Sequence, residues 1–93
     1  MYVFSVTGTA RKAMKAVALG QSVPFIIYVN FKDLFGAEQL CKVYLMKAGF
    51  TDIQIEKRKG IERLARNAKA VASDKWLKEA VDRGYSIQMF DEE

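Results

Sequence analysis

Four segments of the chain have the apolar pattern of β-strands. In residues 2–7 and 52–56 apolar and polar side chains alternate, which predicts strands buried on one face. Residues 85–90 are predicted as a last strand. Residues 25–29 are continuously apolar and follow Pro24, a pattern typical of a central strand covered on both faces. We therefore expect this strand in the interior of a sheet and the two alternating strands nearer its edges.

The segment after the first strand has two interpretations. Apolar residues at helical spacing predict a helix over residues 10–19, capped by Thr9 and ended by Gly20. The alternative is a second strand over residues 12–19 that forms a hairpin with the first strand across Gly8. The alanine content favours the helix, because alanine has the highest helix propensity.

A helix over residues 37–48 has the clearest boundaries in the chain. Gly36 is predicted as its N-cap, and Gly49 follows its last turn as a C-terminal glycine. An earlier start, capped by Asp33, is the alternative.

In residues 61–83 the apolar residues have helical spacing, but this spacing does not define how the segment is divided into separate elements. The segment forms one bent helix, two helices with Ser73 capping the second, or a strand over residues 69–72 followed by a helix. Trp76 is expected to be a core or docking anchor, and it is also a candidate contact in a homodimer, because tryptophan is enriched at interface hot spots.

These elements predict an α+β fold for the whole chain. We expect a single compact domain over residues 1–93, with a four-stranded sheet, two to four helices mainly on one face, and the approximate order β-α-β-α-β-α-β. This order is close to the βαββαβ ferredoxin-like arrangement, but a further helix makes it different.

The composition excludes several kinds of chemistry. The 93 residues are 51% apolar and 28% charged, which is globular composition, and they contain one cysteine and no histidine. An internal disulfide, a Cys/His zinc site and histidine-dependent catalysis are therefore excluded, and we predict no metal or cofactor. Cys41 is expected to be a buried hydrophobic residue in a reducing compartment. The sequence has no membrane-length apolar run and no signal-peptide pattern, so we expect a cytoplasmic protein without membrane contact.

The net charge of +4 is unevenly distributed. Residues 1–32 and 57–69 are strongly basic, whereas residues 33–56 and 70–93 are net acidic. Clustered bases favour a nucleic-acid or acidic-protein partner. The candidate binding residues are Arg11, Lys12, Lys57, Arg58, Lys59, Arg63, Arg66 and Lys69.

A second candidate site lies at the predicted strand-turn-helix near the N-terminus. If a helix follows Gly8, its backbone N–H groups favour an anion such as phosphate. The contacts would be Thr7, Gly8, Thr9 and Arg11. The segment holds only one glycine and matches no nucleotide-binding motif.

Two functional hypotheses follow. The first is a non-enzymatic interaction or accessory module, of the kind found in bacteriophages and other mobile elements, that binds a protein or nucleic-acid partner through its basic surface. The alternative is a regulatory domain that binds a small molecule or phosphate at Thr7–Arg11. We identify no catalytic residues, because the carboxylates are scattered and no converging pair is predicted.

Overall fold

The computed structural model describes residues 1–14 and 16–90, which contain four strands and four helices. In chain order these elements are β1 (Tyr2–Ala10), β2 (Ser22–Val29), α1 (Leu34–Lys47), β3 (Phe50–Gly60), α2 (Glu62–Arg66), α3 (Ala68–Ser73), α4 (Lys75–Arg83) and β4 (Tyr85–Met89). The predicted α+β class with a four-stranded sheet in one compact domain is confirmed.

The sheet is antiparallel throughout, with the strand order β3-β1-β2-β4. The interior position predicted for β2 is confirmed, and β3 lies at an edge as expected. The edge position expected for β1 is wrong, because β1 pairs with both β2 and β3. Alternation of side chains reports which faces of a strand are buried, and it carries no information on how many strands lie beside it.

The helix predicted over residues 10–19 is wrong. β1 continues to Ala10, and residues 11–14 and 16–21, which lie between it and β2, form no helix. Ala10 is buried and is hydrogen-bonded through its N–H to Gln21, while Val17 packs into the hydrophobic core. Long-range packing therefore overrides the helix propensity of the alanines. The hairpin alternative is wrong as well, because residues 12–14 and 16–19 form no strand and β1 pairs with β2 instead.

Gly8 lies in the middle of β1 and does not form a turn. A Cβ atom at this position would lie 3.3 Å from Cβ of Phe50 and 3.5 Å from Cε2 of Phe25. The glycine thus allows two aromatic side chains to pack closely over the strand. These rings form an edge-to-face pair with centroids 4.8 Å apart.

One face of the sheet, which we call the first face, is covered by α1. The helix begins after Asp33, whose Oδ2 accepts a hydrogen bond of 2.7 Å from the Gly36 N–H, so the alternative start is confirmed and Gly36 is not the N-cap. The core beneath α1 contains buried side chains from β1, β2 and the helix: Phe4, Val6, Val23, Phe25, Ile27, Val29, Ala37, Cys41 and Leu45.

The opposite face, the second face, is covered at one end by α2, α3 and α4. Leu77 and Ala80 of α4 are buried and form a second cluster with Val3 and Tyr28. Residues 61–83 thus form three short helices, and the strand considered for residues 69–72 is wrong. Asp74, rather than Ser73, caps α4, because its Oδ1 accepts from two backbone N–H groups of the first turn.

The helices therefore lie on both faces of the sheet and not mainly on one. The two hydrophobic clusters are formed by alternate residues of the same central strands, as Phe4 and Ile27 belong to the first cluster and Val3 and Tyr28 to the second. This explains why β2 is apolar at consecutive positions.

Candidate functional site: the open part of the second face

The second face is only partly covered by helices. Strand pairing places Val3, Tyr28 and Ser86 in one row across the sheet, level with α4. The next rows are not part of either hydrophobic cluster. Within residues 1–14 and 16–90 this leaves an open area of sheet, which we call the open face.

The open face is polar with a small apolar centre. Its first row runs from Lys57 through Ser5 and Ile26 to Gln88, and its second from Gln54 through Thr7 to Pro24. With strands about 4.8 Å apart, a row of four residues spans about 14 Å. The half-buried residues of these rows are Ser5, Thr7, Pro24, Ile26 and Gln88, whereas Gln54 and Lys57 on β3 are exposed.

Two lysines lie at the β3 side of this face. Lys57 pairs with Ser5, and Lys59 pairs with Val3. Both lysines are exposed, and neither belongs to an ion pair among the described residues. They border a shallow depression of about 540 Å³. Its lining residues are Val3, Phe4, Ser5, Ile26, Glu56, Lys57, Arg58 and Lys59.

An irregularity in β3 positions these lysines. Val6 pairs with Ile55 and Ser5 pairs with Lys57, so Glu56 is an extra residue on β3. Such a bulge bends the strand and changes the direction of neighbouring side chains. A second irregularity occurs near Asp52, which has a positive φ of 49°. Bulges and lysines together also protect an edge strand from pairing with other chains.

The basic surface continues from β3 onto α2. Lys59 also lines a second depression of about 520 Å³, together with Arg63 and the exposed Leu64. Lys57, Lys59 and Arg63 are therefore contiguous through shared depressions. The structure brings these three predicted residues together, and we call them the basic edge.

Three other predicted binding residues are engaged elsewhere. Arg58 lies on the opposite side of β3 from its two lysine neighbours and forms an ion pair with Glu38 of α1. Arg66 pairs with Glu62 within α2 at 3.3 Å. Arg11 donates a 3.0 Å hydrogen bond to the Met46 carbonyl in the last turn of α1, a contact that stabilises the end of the helix.

The remaining predicted bases are solvent-exposed. Lys12 follows Arg11 at the far end of β1, and Lys69 lies on α3. Because β1 rises about 3.3 Å per residue, Arg11 and Lys12 are about 20 Å along the sheet from the row that contains Ser5 and Lys57. The two basic segments of the sequence therefore do not form one surface.

The strand-turn-helix expected at Thr7–Arg11 does not form. Thr7, Gly8 and Thr9 lie within β1, and the loop after Arg11 contains no helix in its described residues. The N-terminal backbone N–H groups on which the anion site depended are therefore absent from this segment. Alternation places Thr7 on the open face and Gly8 on the first face.

Ionisable groups with shifted pKa values lie outside the open face. Burial raises the pKa of the Cys41 thiol to about 12, so the thiol is protonated and unreactive at neutral pH. A hydrogen bond from the N-terminal ammonium group lowers the pKa of Glu62. Burial, with a smaller contribution from Asp74, raises the pKa of Tyr28. The described residues contain no group of three or more Cys, Asp and Glu side chains that is arranged to hold a metal ion.

The sequence alone did not indicate Ser5, Ile26 and Gln88 as candidate site residues. They come from three strands, so their proximity depends on the strand order and register. The available signal was the polar half of the β1 alternation at Ser5, Thr7 and Thr9, which marks a face that is not packed in a core.

Comparisons with known proteins add no relative. No protein-family model matches the chain, and searches of curated proteins and of solved structures find no match. In the part of the chain that the structure describes, no helix has both the length and the apolarity needed to cross a lipid bilayer.

Proposed function

We propose that the protein is a non-enzymatic binding module that takes up single-stranded nucleic acid on the open face. The observation that carries the proposal is the depression at the edge of this face, where the apolar lining residues Val3 and Ile26 lie beside the exposed lysines Lys57 and Lys59. An apolar surface beside cations fits a ligand with flat apolar rings and a phosphate backbone.

The shape of the open face supports a single strand rather than a duplex. A duplex presents its phosphates on a convex surface, whereas unpaired bases lie flat on exposed sheets and stack on apolar side chains. The open face is a sheet surface about 14 Å wide. RNA-binding modules bind two or three bases on a four-stranded sheet.

An exposed aromatic residue lies at the β4 side of the same surface. The Phe90 N–H donates a 2.9 Å hydrogen bond to the Pro24 carbonyl, and its side chain is 42% exposed. Alternation along β4 places Phe90 on the same face as Gln88. The open face therefore has cations at one edge and an aromatic ring at the other, the combination that binds phosphate and base together.

A cytosolic location is part of the proposal. The buried, unpaired thiol of Cys41 supports it, since proteins of oxidising compartments use cysteines mainly in disulfides.

The test is fluorescence anisotropy of a labelled oligonucleotide titrated with the protein at several salt concentrations. We expect the affinity for a single strand to fall steeply with salt concentration. The double variant Lys57→Gln/Lys59→Gln should reduce the slope of log binding constant against log salt concentration by about 1.4, because each lost phosphate contact lowers it by about 0.7. Phe90→Ala should lower affinity by about tenfold, because stacking contributes about 1–3 kcal/mol per base.

The matched control is Lys32→Gln/Lys47→Gln, which removes the same charge from exposed lysines away from the open face. If both double variants reduce the slope equally, binding is general attraction to a basic protein and the site is wrong. If the unmodified protein binds no oligonucleotide at low salt, the nucleic-acid function is wrong, and an acidic protein becomes the partner to test.

A further inference from the structure

The outer surface of α1 is apolar although it faces solvent. Phe35 is 69% exposed, Val43 37% and Met46 47%. At about 100° per residue, these three side chains and Gln39 lie within about 80° of arc, diametrically opposite the buried Ala37, Cys41 and Leu45. A helix that is apolar on two opposite sides is typical of a helix packed between two layers. We call this set of outward residues the outer stripe.

We propose that the outer stripe binds the outer stripe of a second copy of this chain, with the two α1 helices antiparallel. The first reason is the spacing within the stripe. Phe35 and Met46 are the two ends of the stripe and lie at equal distances from its midpoint, so a two-fold axis there brings Phe35 against Met46 of the second copy. Aromatic rings and thioether sulfur pack favourably.

The second reason is the charge on one flank of the stripe. Glu38 and Lys42 are one helical turn apart on the same side of α1, so in an antiparallel pair Glu38 lies beside Lys42 of the second copy, and the reverse contact forms as well. In a parallel pair related by a two-fold axis, this flank faces the opposite flank of the second copy, so the contact between Glu38 and Lys42 does not form. Glu38 keeps its ion pair with Arg58, which lies on the sheet side of the flank.

The contact has limited area. A helix of 14 residues is about 21 Å long, so one helix pair gives an interface at the small end of the range for specific complexes. We therefore expect a concentration-dependent dimer rather than an obligate one. Because α1 covers the first face, this dimer leaves the open face of each copy uncovered. The proposal is independent of the proposed function and needs no nucleic acid for its test.

The first experiment is sedimentation equilibrium of the full chain from about 10 µM to about 1 mM, without oligonucleotide. We expect a monomer–dimer equilibrium, and we expect Met46→Glu to raise the dissociation constant at least about tenfold. The control is Leu64→Glu, the same change at a residue of α2 that is 44% exposed, which should leave the constant unchanged. A monomer at all concentrations, or equal effects of the two variants, would overturn the proposal.

The second experiment tests the direction of the helices. Phe35→Cys and Met46→Cys chains of different mass, each also carrying Cys41→Ala, are mixed and oxidised. The antiparallel arrangement predicts that the mixed disulfide exceeds both symmetrical ones. Predominance of the symmetrical disulfides would contradict it.

Discussion

The two faces of the sheet are built from the same strands but are packed very differently. On the first face, a single long helix covers side chains such as Phe4 and Ile27 that have no exposed surface. On the second face, three short helices cover one end, and the rows through Ser5 and Thr7 stay open. The first face supplies most of the apolar burial that stabilises the fold, so the open face is free to carry polar residues such as Ser5 and Thr7.

The largest expected difference between the faces is in stability, at adjacent residues of β2. Ile27→Ala removes a fully buried side chain from the first face and should lower the free energy of unfolding by about 2–5 kcal/mol. Ile26→Ala, on the half-buried open face, should cost about 1 kcal/mol. Urea denaturation measures both.

If Ile27→Ala does not fold, Ile27→Val serves in its place, with an expected loss of about 1 kcal/mol. Equal losses at the two isoleucines would mean that the second face is packed as closely as the first.

An intermediate effect is expected from Cys41 beneath α1. Its thiol has a pKa of about 12 in the folded protein and about 9 as an unperturbed group, so the folded state binds the proton more tightly. The contribution of this thiol to the free energy of unfolding is therefore fully present below pH 9 and is lost as the pH rises toward 12. The expected loss is about 1.4 kcal/mol at pH 10. Urea denaturation at pH 8 and pH 10 checks this.

The control is Cys41→Ala, which should lose this part of the alkaline dependence. A native-state thiol that reacts with a thiol reagent as quickly as the unfolded protein would show that the first face is less closed than described.

The smallest effect is expected at Glu62, at the covered end of the second face. The N-terminal ammonium group, 3.0 Å from Oε1, lowers the pKa of this carboxyl, so its contribution to stability is present above the ordinary carboxyl pKa and disappears as the pH falls below it. As the pH is lowered from neutral to acidic, the melting temperature should fall slightly less in Glu62→Gln than in the unmodified protein. The Glu62 side chain is exposed to solvent, which screens the interaction, so the difference is small. A large difference would show that the N-terminus is an important anchor of this end.

Much of the fold was predictable because its signals are local. β2 is marked by a continuous apolar run, β3 by alternating isoleucines, and α1 by a capping aspartate and a following glycine. Each signal depends on residues within one element. The candidate site was predictable only in part, because the sequence places Lys57, Arg58 and Lys59 together and the β-strand separates them. The two lysines lie on one face, and Arg58 pairs with α1.

The sequence by itself determined the α+β class, the location of β2 and α1, and the absence of histidine and disulfide chemistry. Only the tertiary structure decided that the alanine-rich segment after Ala10 is a loop, that β1 is central, and that helices cover both faces. Propensities and capping act over one helical turn or a few residues. Strand order, by contrast, depends on contacts between residues far apart in the chain. The open face belongs to this second group, because Lys57, Ser5, Ile26 and Gln88 become neighbours only when four strands have paired.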